Sequence, residues 1–171
     1  MMTRLGSTLL TAILALAPAS RVDVESRPGP AAEPSVAIVS SDTLHDVAVA
    51  VYDPHNSIIF INQTRMARFE PALQQFFMAH EFGHITLRHT RAYAMNGTAD
   101  GKRAEIIARE LEADCWASRT LGRDNRPAAL AAARFFAAMG PYRYDREHPA
   151  GSQRAARILA CLPDAPVTPQ H

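Results

Sequence analysis

His80-Glu81-Phe82-Gly83-His84 sets two imidazoles four residues apart, with a carboxylate between them. On an α-helix, residues four apart share a face, so both rings can reach one ion. Neutral imidazole suits zinc, which in catalytic sites takes three protein ligands and keeps one position open. Glu81, one residue along, is placed to take a proton from a water that the ion acidifies. Histidines on an apolar helical stripe are usually satisfied core residues, but a carboxylate among them would be a costly buried charge. A catalytic zinc wants a third ligand, and Arg109-Glu110-Leu111-Glu112-Ala113-Asp114 offers one. Glu110 and Asp114 share a helix face, whereas Glu112, about 200° round the helix from Glu110, is expected to be a solvated charge. Glu110 is assigned to the ion. Asp114 is assigned to the second ring nitrogen of a ligand histidine, fixing its tautomer.

In order and type, His80-Glu81-Phe82-Gly83-His84 followed by Glu110-Leu111-Glu112-Ala113-Asp114 resembles the H-E-x-x-H…E-x-x-A-D signature of the HtpX-like and CAAX-prenyl-endopeptidase-like zinc metallopeptidases. His148-Pro149 and Arg154 resemble the H-P pair and later arginine of that group, so the likeness runs from about Val47 to Cys161. The resemblance implies a gluzincin with one Zn2+ per chain on His80, His84 and Glu110, catalysis by Glu81, and orientation by Asp114. It also implies that His148 approaches the active site, to stabilise an oxyanion or gate the metal. A strand from Ser57 to Ile61 would form the cleft edge, where an extended peptide adds as another strand. The multiple hydrophobic spans of membrane members have no counterpart here, so their substrates do not transfer.

The elements that must position these groups follow from periodicity. Val36–Val39 predicts a short strand. Val47–Tyr52 and Ser57–Asn62 are β-rich runs joined by the turn residues Asp53-Pro54-His55-Asn56, which predicts a hairpin. From about Pro71, Leu73, Phe76, Phe77, His80, His84 and Leu87 recur at helical spacing. A polar loop is expected from Thr90 to Gly101 and a helix from Lys102 to Leu121. Pro127 opens a helix that Gly140-Pro141 ends, and Pro149 starts a last helix reaching Cys161. The fold class is α+β: a zincin-like single domain with a small sheet or hairpin, the active-site helix and about three more helices. His45, His55, His89 and His171 have no partner at ligand spacing, and His89, five residues past His84, is expected to face elsewhere. Tyr93, Tyr142 and Tyr144 read as surface packing.

Composition bounds the rest. The chain has 171 residues, 47% of them hydrophobic and 20% charged, enough for one core. A formal charge of +1 argues against electrostatic capture of nucleic acid. Eight arginines between Arg119 and Arg157 read as solvated helix faces. Met1–Arg4, the apolar run Leu5–Ala17 and Ala17-Pro18-Ala19 match a cleavable signal peptide over residues 1–19, too short an apolar stretch to serve as a membrane anchor. A Pro-rich leader at 20–35, a metallopeptidase domain at 36–162 and a tail at 163–171 complete the organisation. A periplasmic or secreted location favours a disulfide between Cys115 and Cys161 over two isolated buried thiols. The reading that emerges is a zinc metalloendopeptidase acting on extended segments of exported or envelope proteins. Two alternatives stand beside it: a non-catalytic zinc-binding chaperone or assembly protein, and a zinc hydrolase of a cell-wall or other non-peptide amide. Oligomeric state is not encoded in any of these patterns.

Overall fold

A computed structural model of the protein describes residues 35–89 and 99–164, without the side chains of 99–101. The expected signal peptide, most of the leader, residues 90–98 with Tyr93, and the tail beyond Asp164 with His171 lie outside the described residues. Three strands precede five helices: β1 (Ser35–Ser40), β2 (Ala48–Val51), β3 (Asn56–Ile61), α1 (Gln63–Met66), α2 (Pro71–Thr86), α3 (Ala99–Asp124), α4 (Arg126–Met139) and α5 (Gly151–Cys161). This is the expected α+β arrangement.

The hairpin forms because Asp53 Oδ1 accepts from the backbone N–H groups of His55 and Asn56, each at 2.9 Å, closing the turn locally. Ser35, assigned by sequence to the leader, belongs to β1. That strand pairs in parallel with β3, while β2 pairs with β3 antiparallel, giving the order β1-β3-β2. The expectation that Ser57–Ile61 forms the cleft edge is therefore corrected. β3 is hydrogen-bonded on both sides, and β2 is the strand whose free edge lines the cleft. The short α1 has no periodic signal. It forms because the Asn62 side chain accepts from Arg65 N at 3.0 Å as an N-cap, while its amide donates to the carbonyls of Asp42 and Leu44.

Pro71 opens α2 at its first turn, where its missing N–H costs nothing. Helix α3 starts before the expected Lys102 and ends after Leu121. Pro149 lies ahead of α5 rather than within it, and the Ala150 N–H is capped by Gln153 Oε1 at 3.1 Å. The main core lies among α2–α5 and consists of Leu73, Phe76, Ala117, Ala132, Ala133, Phe136, Ala155 and Ile158. A smaller cluster of Ala48, Ala50, Ile59, Met66 and Ile85 seats the sheet on α2. Gly83 lets α2 and α3 meet closely, since a Cβ there would lie 3.2 Å from the Ala113 carbonyl oxygen. The glycine inside the H-E-x-x-H motif thus sets the distance between the two helices that carry the candidate ligands.

Cys115 of α3 and Cys161 of α5 form a disulfide closing 46 residues of chain. Beside it the buried Ser118 hydroxyl donates to the Ile158 carbonyl at 2.7 Å. Of the arginine-rich stretch, Arg119, Arg123, Arg134, Arg143, Arg146 and Arg157 are exposed, as expected, whereas Arg154 is buried. No helix among the described residues is long and apolar enough to cross a membrane.

The disulfide restricts the unfolded chain, so replacing both cysteines with alanine should lower stability by about 2–4 kcal/mol. Urea titration of the double variant against the wild type measures this, and an unchanged midpoint would show that the α3–α5 contact holds without the bond.

Candidate metal centre

Two helices converge on one point. His80 and His84 project from α2 and Glu110 from α3, one helical turn before Asp114. His80 Nε2 and His84 Nε2 are 3.0 Å apart. Glu110 Oε2 lies 3.1 Å from His80 Nε2, and Glu110 Oε1 lies 3.3 Å from His84 Nε2. One ligand atom from each residue falls within 4.8 Å of the others, so the three are placed to hold an ion. The chemistry of the donors fits zinc. Two imidazole nitrogens and a carboxylate, 3.0–3.3 Å from one another, are the donor set of a zinc site and stand close to the spacing of ligands about 2.0–2.1 Å from a tetrahedral centre. All three are largely withdrawn from solvent.

The second ring nitrogens are also committed. His80 Nδ1 lies 2.9 Å from Asp114 Oδ1, the contact expected from sequence. Asp114 is completely buried, and it is matched by Arg154 of α5: Nε donates to Oδ2 at 2.8 Å and Nη2 to Oδ1 at 2.6 Å. Burial opposes ionisation of Asp114, yet the Arg154 charge and hydrogen bonds outweigh it and hold the carboxyl below its usual range. The Arg154 guanidinium lies 4.0 Å from the centre of the Phe136 ring, a cation–π contact that keeps it in place.

His84 is braced differently, by residues that the sequence reading placed elsewhere. Its Nδ1 lies 3.1 Å from His89 Nδ1, and His89 Nε2 lies 3.1 Å from Glu112 Oε2. The helix ends at Thr86, Arg88 adopts a positive φ of 59°, and the chain turns back instead of continuing the 3.6-residue period. Helical extrapolation therefore sends His89 the wrong way. The Arg109 guanidinium fixes the turn by donating to the His89 carbonyl at 3.0 Å. Glu112 does point away from Glu110, as expected, but it is not merely solvated because its carboxylate ends this relay. Burial and the neighbouring His84 lower the pKa of His89, favouring the neutral ring. With His84 offering Nε2 to the centre, one consistent proton arrangement remains: His84 Nδ1–H donates to His89 Nδ1, and His89 Nε2–H donates to Glu112.

Glu81 is buried at the floor of the cleft, which takes up about 480 Å³ between β2 and the two histidines. Burial raises its pKa, partly offset by His80, His84 and a hydrogen bond from the backbone of Ala50 on β2. His148 reaches the opposite wall, its Nε2 lying 3.8 Å from Glu110 Oε2. Asp145, which no sequence pattern singled out, holds the other nitrogen of His148 at 2.8 Å and also accepts from the His148 backbone N–H at 2.9 Å. Tyr144 stands beside it with its ring centroid 5.8 Å from that of His148 and its hydroxyl donating to the His45 carbonyl at 3.2 Å. Tyr142 is exposed, as expected.

A protein-family model, Peptidase U49, matches residues 71–163. No curated protein and no solved structure matches the chain.

Without an ion, two imidazole nitrogens and two carboxylate oxygens this close require a shared proton. Burial opposes a charge on His80, but hydrogen bonds to Asp114 and Glu110 prevail and raise its pKa to about 10. Folded His80 therefore keeps a proton that unfolded His80 releases near its ordinary value of 6.5. The stabilisation is complete below pH 6.5 and is lost as pH rises toward 10. Chelator-treated protein should lose up to about 1.4 kcal/mol of unfolding free energy per pH unit across that window. Urea midpoints at several pH values measure it, and a flat profile would show that His80 is neutral in the folded protein.

Proposed function

The chain belongs to the Peptidase U49 family, and from that premise we propose that it is a zinc-dependent metalloendopeptidase using Glu81 to activate water. The observation that carries this reading is the convergence of His80, His84 and Glu110 around one point, with Glu81 on the same helix as two of them. The H-E-x-x-H…E-x-x-A-D likeness to HtpX-like metallopeptidases supports the metallo type, because it predicts the same three ligands.

A zinc ion held there would supply positive charge that acidifies water and polarises the scissile carbonyl. Glu81, its basicity raised by burial, accepts the proton of the attacking water and returns it to the departing amine. His148, whose Nδ1–H donates to Asp145, presents Nε2 to the cleft and, as the imidazolium, donates from Nε2–H to the oxyanion that develops on the carbonyl. Asp114 and the His89–Glu112 pair hold the two ligand rings in their tautomers. The substrate is an extended segment of an exported or envelope protein, lying along β2, whose unpaired edge faces the cleft and there already donates from Ala50 to Glu81. Export to the periplasm or the cell exterior is supported by the pattern of residues 1–19 and by the disulfide, which persists in oxidising compartments.

Purified protein should contain about one zinc per chain and Glu110→Ala far less, read by elemental analysis. Glu81→Gln should keep the zinc but cut hydrolysis of a denatured protein by about 100-fold or more. Full proteolysis by that variant would exclude Glu81 as the base. His89→Ala should weaken zinc binding about 10- to 100-fold in a chelator competition. An unchanged affinity would make the His84–His89–Glu112 relay a packing contact only.

A further inference from the structure

Beside the cleft lies a second, narrower space of about 140 Å³, reached past His80, Glu81 and His148, which line both. Its wall is of another kind. Phe69, from the turn before α2, Phe77 of α2 and Phe135 of α4 form a triangle of edge-on rings, with centroids 5.0, 5.6 and 6.1 Å apart. All three sit at the margin of the main core and are only partly buried. Val47, Ala48, Phe136, Met139, Tyr144 and Pro149 complete the lining, and besides His80, Glu81 and His148 its ionisable members are Asp46 and Arg154, the latter already satisfied by Asp114. Burial raises the pKa of the Asp46 carboxyl, so the surroundings of Asp46 disfavour a further negative charge.

Phe69, Phe77 and Phe135, with Phe136 behind them, keep part of their ring surface off the core and the sheet, and that surface lines an apolar hollow beside the reactive groups. Pockets of this make, mostly apolar with a few fixed polar groups, are how proteins select side chains. Size narrows the choice. A dry cavity of about 150 Å³ is known to take one benzene-sized molecule. A phenyl or branched aliphatic group fits; a methyl would leave most of the space empty, and a carboxylate would lose its water against Asp46 and the rings.

Resting on the peptidase reading, we propose that this pocket receives a large apolar side chain, Phe, Leu or Met, of the substrate residue flanking the scissile bond, and so sets cleavage specificity. The neighbour of the cut is the residue concerned because His80, Glu81 and His148 border both the cleft and the pocket mouth. A chain lying along β2 with its carbonyl near these groups turns an adjacent side chain toward Ala48 and the phenylalanines.

Two measurements test this, and only the second depends on catalysis. The first titrates the full protein with N-acetyl amides of Phe, Leu, Ala and Asp, following the Met139 and Ala48 methyl resonances. The Phe and Leu amides should bind about 10- to 100-fold more tightly than the other two and shift both methyls. Phe135→Asp should erase that preference, and Phe135→Leu, which keeps an apolar wall, should retain it. Equal affinities, or shifts confined to other methyls, would overturn the proposal. The second measurement sequences the fragments that the zinc-loaded wild type releases from a denatured protein. A large apolar residue should recur on one fixed side of the cut; small or charged residues on both sides would overturn the proposal. If the amides show the preference while no protein is cut, the peptidase reading fails and the apolar pocket stands.

Discussion

A carboxylate with no access to water must be paid for by its neighbours, and Asp114 is such a group. Its two oxygens are taken up by Arg154 from α5 and by His80 from α2, so one side chain of α3 fixes the spacing and rotation of two other helices. A displaced partner would leave an uncompensated charge in the core, a penalty of roughly 3–5 kcal/mol. The disulfide and the Ser118–Ile158 hydrogen bond tie α3 to α5 along the same seam. The absence of a side chain at Gly83 brings α2 against α3. The ligand geometry is therefore a consequence of core packing: His80 cannot turn without breaking the contacts that hold three helices together.

The two histidines are held by unlike means. His80 leans on an ion pair sealed inside the bundle. His84 leans on His89, itself a buried ring, and through it on Glu112, whose side chain is 56% exposed. One brace is as rigid as the core. The other runs to the surface through a turn that depends on a single left-handed residue, Arg88, a conformation that carries a modest local cost in any non-glycine residue. Any slack in the centre is expected on the His84 side, where fewer buried contacts resist local opening.

How much of this could be read from sequence follows from the range of each interaction. His80, Glu81, His84, Glu110 and Asp114 came out of helical spacing because each helix sets the relative directions of its own side chains. The β2–β3 hairpin and the proline-started helices were legible for the same local reason. What failed lay where a period stops or where chain segments must find each other. Nothing in Asn56–Ile61 reveals that β3 comes back alongside β1, since a buried central strand and an edge strand with one apolar face look alike over six residues. His89 lies three residues past the helix end, where the period no longer applies. The resemblance marks Arg154, but helical spacing alone reads it as one more exposed arginine, because only its partner, forty residues away, buries it. Asp145 had no signal other than being three residues before His148.

The division between what the family model covers and what it leaves out follows the physical division of labour. Residues 71–163 run from the first turn of α2 to just beyond α5, so they contain every proposed ligand, Glu81, His148, and the Asp114–Arg154 pair. The sheet lies wholly outside the match, yet β2 forms one wall of the cleft, and Asp46, Val47 and Ala48 line the apolar pocket. The helical part is tightly constrained, because its charges neutralise one another at fixed distances inside a core. The sheet contributes backbone edges and small side chains, whose demands are only shape and polarity. On the proposed reading, the bundle fixes the reaction, and the sheet together with the phenylalanine wall selects what reaches it. Substitutions at Val49 and Val51, which line the cleft outside the cluster seating the sheet on α2, can then change the substrate without touching the interactions that keep the centre folded.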